Sequence, residues 1–223
     1  VTAQIVAFNT TALAYPLIAI GFFMSFVWKQ GVVRHYGAML MGLGLIFYGM
    51  AAMGSAMAPL RTHEGFAQLL QSLKNPVLGM LAGALFTALV QSSSATIGLS
   101  VVMATQGLLS LPAGIAILFG AKIGTGITAI LPAIGKPRDA KRAAAVHVLF
   151  NVLGAVIWLP FIAQLAGLAE TVSQVAAHLE GVDRLAEEVP RQIANAATIW
   201  ATANTLLFLP FAGLFAKMAI KII

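Results

Sequence analysis

Four stretches of this sequence, residues 12–28, 37–60, 143–168 and 193–216, are long and apolar enough to cross a lipid bilayer, for which a helix needs about 20 such residues. No water reaches the backbone in hydrocarbon, so each segment must satisfy its own amides and carbonyls, which a helix does. The expectation is an all-α integral membrane protein. Composition agrees: 60% of the 223 residues are hydrophobic and 9% are charged, where a soluble domain carries about a quarter charged residues. Mean hydropathy is +0.92.

The net charge of +6 would suit a nucleic-acid binder if it were clustered, but the basic residues lie in short loops between apolar spans. That distribution orients a membrane protein, and nucleic acid is not an expected partner. Lys136, Arg138, Lys141 and Arg142 make one strongly basic loop, expected on the cytoplasmic side. Lys29 and Arg34 bound another, and Lys217 and Lys221 mark a cytoplasmic C-terminal end. Residues 169–192 hold Glu170, Glu180, Asp183, Glu187 and Glu188, five of the seven acids, and are expected as an external loop. With no cysteine there is neither a disulfide nor a thiolate metal site. The chain opens on Val1-Thr2-Ala3-Gln4, without an initiator methionine or signal-peptide pattern, as a piece of a longer or processed protein would.

Residues 75–135 differ from the four spans. They are apolar but rich in Gly, Ser, Thr and Pro, and too long for two plain crossings. Helix breaks are expected near residues 91–96 and 120–126, with a turn at 106–112. If the charge assignments hold, this region starts outside and finishes inside. A re-entrant hairpin carrying residues 91–96, followed by one crossing, meets that requirement.

Two self-similarities point to internal repetition. Residues 145–161 align without gaps on residues 195–211, both ending in Leu-Pro-Phe, and Val1-Thr2-Ala3 resembles Ile127-Thr128-Ala129. The second pair would face opposite ways across the membrane, which is the pattern of an inverted-repeat transporter with a midplane site.

The groups able to carry chemistry are few. Gln91, Ser92, Ser93, Ser94 and Thr96 stand together in apolar surroundings, where unpartnered polar groups are costly. They admit two readings: hydrogen-bonding glue between helices, or a helix break lining a polar cavity, with free N–H groups for an oxyanion and carbonyls for a cation. Gly120, Gly124 and Gly126 allow either close helix packing or local unwinding. Lys122, between them, is an intramembrane cation and a candidate for an anionic ligand, though a shallow lysine can also snorkel. Gly79 and Gly83 read as packing glycines. His147 and Asn151 share a helix face and read as a hydrogen-bonded pair. No metal-ligand cluster forms, no carboxylate lies within a span, and there is no phosphate-binding GxxxxGK[ST] loop, so neither acid–base chemistry nor ATP-driven pumping is expected.

At residues 91–96 and 120–128 the sequence resembles the sodium/phosphate cotransporter family, the bacterial relatives of the type II carriers. The resemblance takes in NPVLGMLAGALFTALVQSSSAT at 75–96, GLLSLPAGIAILFGAKIGTGITA at 107–129, HVLFN at 147–151 and IANAATIWATANTLLFLPF near the C-terminus. It implies two inverted repeats, each bearing a Gln-Ser-Ser-Ser motif, that together form a phosphate and sodium site. Here the second motif is Gln91, Ser92, Ser93 and Ser94, and the first would lie upstream of Val1. On this basis phosphate would meet Gln91, Ser92, Ser93, Ser94, Thr96 and Lys122, while sodium would meet Gln91, Ser92, Gly120 and Thr125. Lys122 stands where the family usually has Asn, and Gly126 where it has Thr. The His-xx-Phe-Asn pattern at 147–151 becomes Ala197, Trp200 and Ala201 in the C-terminal copy.

The expected organisation is therefore residues 1–28 as the end of a first repeat, 29–168 as the second, 169–192 as an acidic external loop and 193–223 as a C-terminal span. About four full spans, a hairpin and a crossing are expected. The expected function is sodium-coupled phosphate transport across the inner (plasma) membrane by a non-enzyme that needs no cofactor beyond the coupling ion. The alternatives are a phosphate-sensing or scaffolding protein and a carrier of another oxyanion with reduced sodium dependence. Partners would be the bilayer and either the upstream repeat or a second copy in a homodimer.

Overall fold

The computed structural model describes residues 2–7, 11–28, 31–173 and 181–223, and among these every regular element is helical. In chain order they are α1 (Thr2–Ala7), α2 (Ala14–Val27), α3 (Val32–Met57), α4 (Glu64–Ser72), α5 (Pro76–Val90) and α6 (Ser93–Thr105). Then follow α7 (Leu111–Gly124), α8 (Gly126–Ala133), α9 (Arg138–Trp158), α10 (Ile162–Val172), α11 (Gly181–Phe208) and α12 (Ala212–Ile222).

Among the described residues, four helical stretches are long and apolar enough to span a bilayer: Val32–Leu60, Leu111–Ala133, Arg138–Val172 and Glu187–Ile222. Three correspond to the expected spans and the fourth to the expected crossing after the hairpin. The remaining expected span, residues 12–28, is the exception. Its helix α2 has 14 residues, about 21 Å, where the hydrocarbon core is about 30 Å thick. It pairs closely with α3 instead. A Cβ on Gly37 would lie 2.8 Å from the Ser25 amide, and one on Gly44 would lie 2.8 Å from the Ala14 carbonyl. The outer faces of this pair, with Phe22, Phe23, Phe26, Tyr36 and Met39, are exposed and apolar as lipid-facing surface is, and Trp28 and Tyr36 suit an interfacial belt.

The helix break expected near residues 91–96 is present, as a turn at Gln91–Ser92 between α5 and α6. α5 opens on Asn75, whose side chain accepts from the Val77 amide at 2.9 Å, with Pro76 in the first turn, a strong start signal. With 15 and 13 residues, α5 and α6 reach only about 22 and 20 Å, too short to cross. α7 then runs parallel to α5 in close contact along small residues. A Cβ on Gly79 would meet that of Ala116 at 3.0 Å, one on Gly83 would overlap the Ile117 carbonyl, and one on Gly120 the Met80 carbonyl. α7 is the centre of the core: Ile115, Leu118 and Phe119 are fully buried, and Phe119 packs on buried Trp200 of α11 with ring centroids 5.3 Å apart.

Two expectations change here. Residues 120–126 do not open into two half-helices. α7 and α8 join through Thr125, which stays in the right-handed helical region and donates its amide to Ala121 at 3.1 Å. Gly120 and Gly124 are taken up by packing on α5 and Gly126 by Val148 of α9, so unwinding would forfeit those contacts. Nor are residues 169–192 mainly a loop. α10 runs to Val172 and α11 starts at Gly181, while residues 174–180, including Glu180, lie outside the described residues. Val182, Leu185, Val189 and Ile193 recur at helical spacing, and Val189 and Ile193 are buried, so the apolar stripe outweighs the charges between. Glu188 is itself buried.

The Leu-Pro-Phe repeat has a structural counterpart. Leu159–Phe161 and Leu209–Phe211 are both short 3-10 turns that bend a long helix before it continues as α10 and α12. The equivalent positions Gly154 and Asn204 touch: a Cβ on Gly154 would lie 2.6 Å from the Asn204 amide nitrogen.

Candidate functional site

The turn between α5 and α6 is built by its own residues. α5 stops because Gln91 adopts a left-handed conformation, φ 58° and ψ 25°, the one non-glycine residue among those described with positive φ. Its amide still closes the helix by donating to the Thr87 carbonyl at 2.7 Å. Ser92 then caps α6, its hydroxyl accepting from the Ala95 amide at 3.2 Å and its carbonyl from the Thr96 amide at 3.2 Å. The two arms are pinned together beneath the turn by a hydroxyl pair, Thr87 Oγ1 and Thr96 Oγ1, 2.6 Å apart and buried. Thr96 also donates to the Ser92 carbonyl, and Ser100 donates to the Thr96 carbonyl at 3.0 Å.

What remains free at the tip decides what it can do. The side chains of Gln91, Ser93 and Ser94 make no hydrogen bond within the described chain, and Gln91 and Ser94 are exposed. The first amides of a helix have no intrahelical acceptor, so the Ser93 and Ser94 N–H groups point outward at the positive end of α6. Amides, hydroxyls and one carboxamide in a strained turn suit an oxyanion: they replace its hydration shell without adding a fixed charge. The packing reading applies to a different subset, because Thr96 and Ser100 are the hydroxyls absorbed into helix contacts.

The other expected site residues are placed differently. Gly120 packs on α5. Gly124 stands at the level of Thr87, with a Cβ there 2.7 Å from the Thr87 Cβ, which brings Thr125 near the depth of the hydroxyl pair. The Thr125 hydroxyl donates to the Ala121 carbonyl at 2.8 Å and that of Thr128 to the Thr125 carbonyl at 2.7 Å, so both are engaged in their own helix. Lys122 is half-buried on α7, two residues from each packing glycine and therefore turned away from α5. No hydrogen bond or ion pair links it to the tip. His147 and Asn151 are paired as expected, with Asn151 Nδ2 3.2 Å from His147 Nε2 and donating to the His147 carbonyl at 2.9 Å. Among the described residues no group of His, Asp or Glu could hold a metal ion.

Two features escape a reading of the sequence. Thr87 is a single hydroxyl in an apolar helix, and its only signal is a position four residues before Gln91. A polar network joins α1 to α11: Gln4 donates to Asn195 at 2.9 Å and to Thr198 at 3.0 Å, and Asn195 donates to Ser173 at 2.7 Å.

The Na+/Pi-cotransporter family matches residues 1–55 and 48–186. The protein YqeW of Bacillus subtilis, which has no assigned function, is 28% identical over 97% of this chain and 66% of its own length. YjbB of Salmonella typhimurium, provisionally named for inorganic phosphate export, is 28% identical over 99% of the chain and 38% of its own length. The sodium-dependent phosphate transport protein 2A of Rattus norvegicus is 42% identical over 94 residues, 40% of this chain and 15% of its own length. The chain thus spans at most about two thirds of the curated relatives named here, and less than half of the last two. No solved structure matches it. The chain belongs to the Na+/Pi-cotransporter family.

Proposed function

We propose that the protein moves inorganic phosphate across the cell's inner membrane, coupled to sodium. The observation that carries this reading is the α5–α6 tip, where Gln91, Ser93 and Ser94 keep unused hydrogen-bonding groups beside the free amides of a helix start. Phosphate would shed part of its water onto these groups, while the Thr87–Thr96 pair holds the arms at fixed separation. Ser92 shapes the turn through its cap. Sodium would sit lower, near Ser92, Thr125 and the carbonyl of Gln91, and descent of each charge along the membrane potential supplies about 2.3 kcal/mol per 100 mV. The complete site would need a second motif facing this one, from an upstream repeat or a second copy. The basic loop at 136–142 and the C-terminal end would lie in the cytoplasm, and the acidic segment 169–192 outside.

Lys122 bears on the ion. An ammonium near a cation site repels the cation, and the effect is strongest where the dielectric is low. The proposal is accordingly a carrier with weakened sodium dependence that Lys122→Asn strengthens. Labelled phosphate flux in proteoliposomes, with sodium or with choline in its place, checks this: the ratio of the two should rise severalfold in Lys122→Asn. An unchanged ratio contradicts the role given to Lys122, and no phosphate flux in either medium contradicts transport. Because the YjbB relative is named for export, the same vesicles loaded with phosphate determine whether efflux is the faster direction.

A further inference from the structure

At the end of the core opposite the Gln91 turn lies a cleft of about 600 Å³, lined by α4, the α6–α7 turn, α10 and the start of the buried part of α11. It has no part in the site above. Its walls are largely apolar, with Leu70, Leu108 and Val189 among them, yet its polar groups are of both signs: Lys74 and Glu170 line it together. Within the described chain neither makes an ion pair or side-chain hydrogen bond. The start of α7 also opens here. Ser110 supplies no side-chain cap, so the Leu111 and Ala113 amides are left without an acceptor, and Pro112 has none to offer. Gln192 is the second, independent sign of a ligand. Its side chain is 6% exposed, lines the cavity and has no hydrogen-bond partner within the described chain. Its carboxamide therefore presents unused donors and an acceptor to the cavity space.

A cation and an anion in one partly apolar cavity do not suit free phosphate, which the carboxylate would repel. They suit an amphiphile whose head carries both charges. The setting fits, since α4 makes a 108° angle with α5 and so lies across its end, turning Phe66 and Leu70 to the core as an interfacial helix does. We propose that this cavity binds the head group of a zwitterionic phospholipid with a primary ammonium, of the phosphatidylethanolamine kind. Lys74 and the α7 amides take the phosphodiester, Glu170 the ammonium, and Gln192 the linking oxygens.

The test is native mass spectrometry of the intact protein released from membranes containing phosphatidylethanolamine, phosphatidylcholine and phosphatidylglycerol in equal parts. The expected result is a retained phosphatidylethanolamine adduct, reduced at least tenfold in Lys74→Ala and in Gln192→Leu, and unchanged in Lys141→Ala, a basic residue lining a different cavity. Glu170→Gln should keep a lipid adduct but lose the preference for ethanolamine over choline, a change that general destabilisation would not produce. Lys74 and Glu170 are exposed, so both variants should fold. Equal retention in all variants, or equal retention of choline and ethanolamine lipids by the parent protein, overturns the proposal. So does displacement of the lipid by millimolar inorganic phosphate with the same dependence on Lys74, which would assign the cavity to free phosphate. None of these outcomes depends on whether the protein transports phosphate.

Discussion

Gln91 is held where a side chain with a Cβ is disfavoured by about 1–2 kcal/mol. Glycine would relieve that strain, whereas the proposed site needs the carboxamide. Gln91→Gly should raise resistance to thermal unfolding by about 1 kcal/mol while lowering phosphate flux at least tenfold; a variant equally active and more stable would remove Gln91 from the site. The Thr87–Thr96 pair gives a second expectation. Either single valine substitution leaves a buried hydroxyl without its partner and should destabilise by about 1–3 kcal/mol, whereas Thr87→Val with Thr96→Val should cost less than the sum of the two. Unfolding of the three variants in one detergent checks the coupling. The Gln-Ser-Ser-Ser run was legible in the sequence because four polar groups in lipid demand an explanation. Its division of labour was not: only the backbone shows that Ser92 caps, Thr96 pins and Ser93 and Ser94 stay free.

At the scale of elements, small residues carry the argument. The backbones of α5 and α7 touch through Gly83 and Gly120, so a methyl group at either position has no room. Gly120→Ala should destabilise by about 1–3 kcal/mol or more, the usual cost of forcing extra atoms into a packed interface. Gly42 of α3 has nothing within 4 Å of an added Cβ, and Gly42→Ala should instead stabilise by about 1 kcal/mol through helix propensity. A protease-resistance or melting series in nanodiscs distinguishes the two signs. The sequence offered both uses of the glycine-rich segment, packing and unwinding. Spacing alone could not choose, because the choice depends on Gly79 and Gly83 arriving on the facing helix. Residues 181–192 failed for another reason. Glu187 and Glu188 dominate the composition there and hide the apolar positions Val189 and Ile193, which the long-range packing of α11 brings to the core.

For the molecule as a whole, the stretch that begins with α7 is more deeply packed than the long outer helices: over the most apolar window, Leu111–Ala133 is 56% buried and Glu187–Ile222 is 17% buried. The polar tip therefore stands beside the most deeply packed of the span-length stretches, to which α5 is joined through its glycines. The proposed orientation rests on the charge pattern, and the absence of cysteine from the sequence makes it simple to test. Glu187→Cys should react with an impermeant maleimide added to intact cells, and Lys136→Cys only after permeabilisation; the reverse result would turn the molecule over. The central claim is that the free groups of the α5–α6 tip bind the phosphate that is carried. Its most direct test is labelled phosphate flux into proteoliposomes by the intact protein and by the double variant Ser93→Ala with Ser94→Ala. Neither hydroxyl has a partner within the described chain, so the double variant should keep its melting temperature and lose at least tenfold in flux. Unaltered flux in a correctly folded double variant would contradict the account.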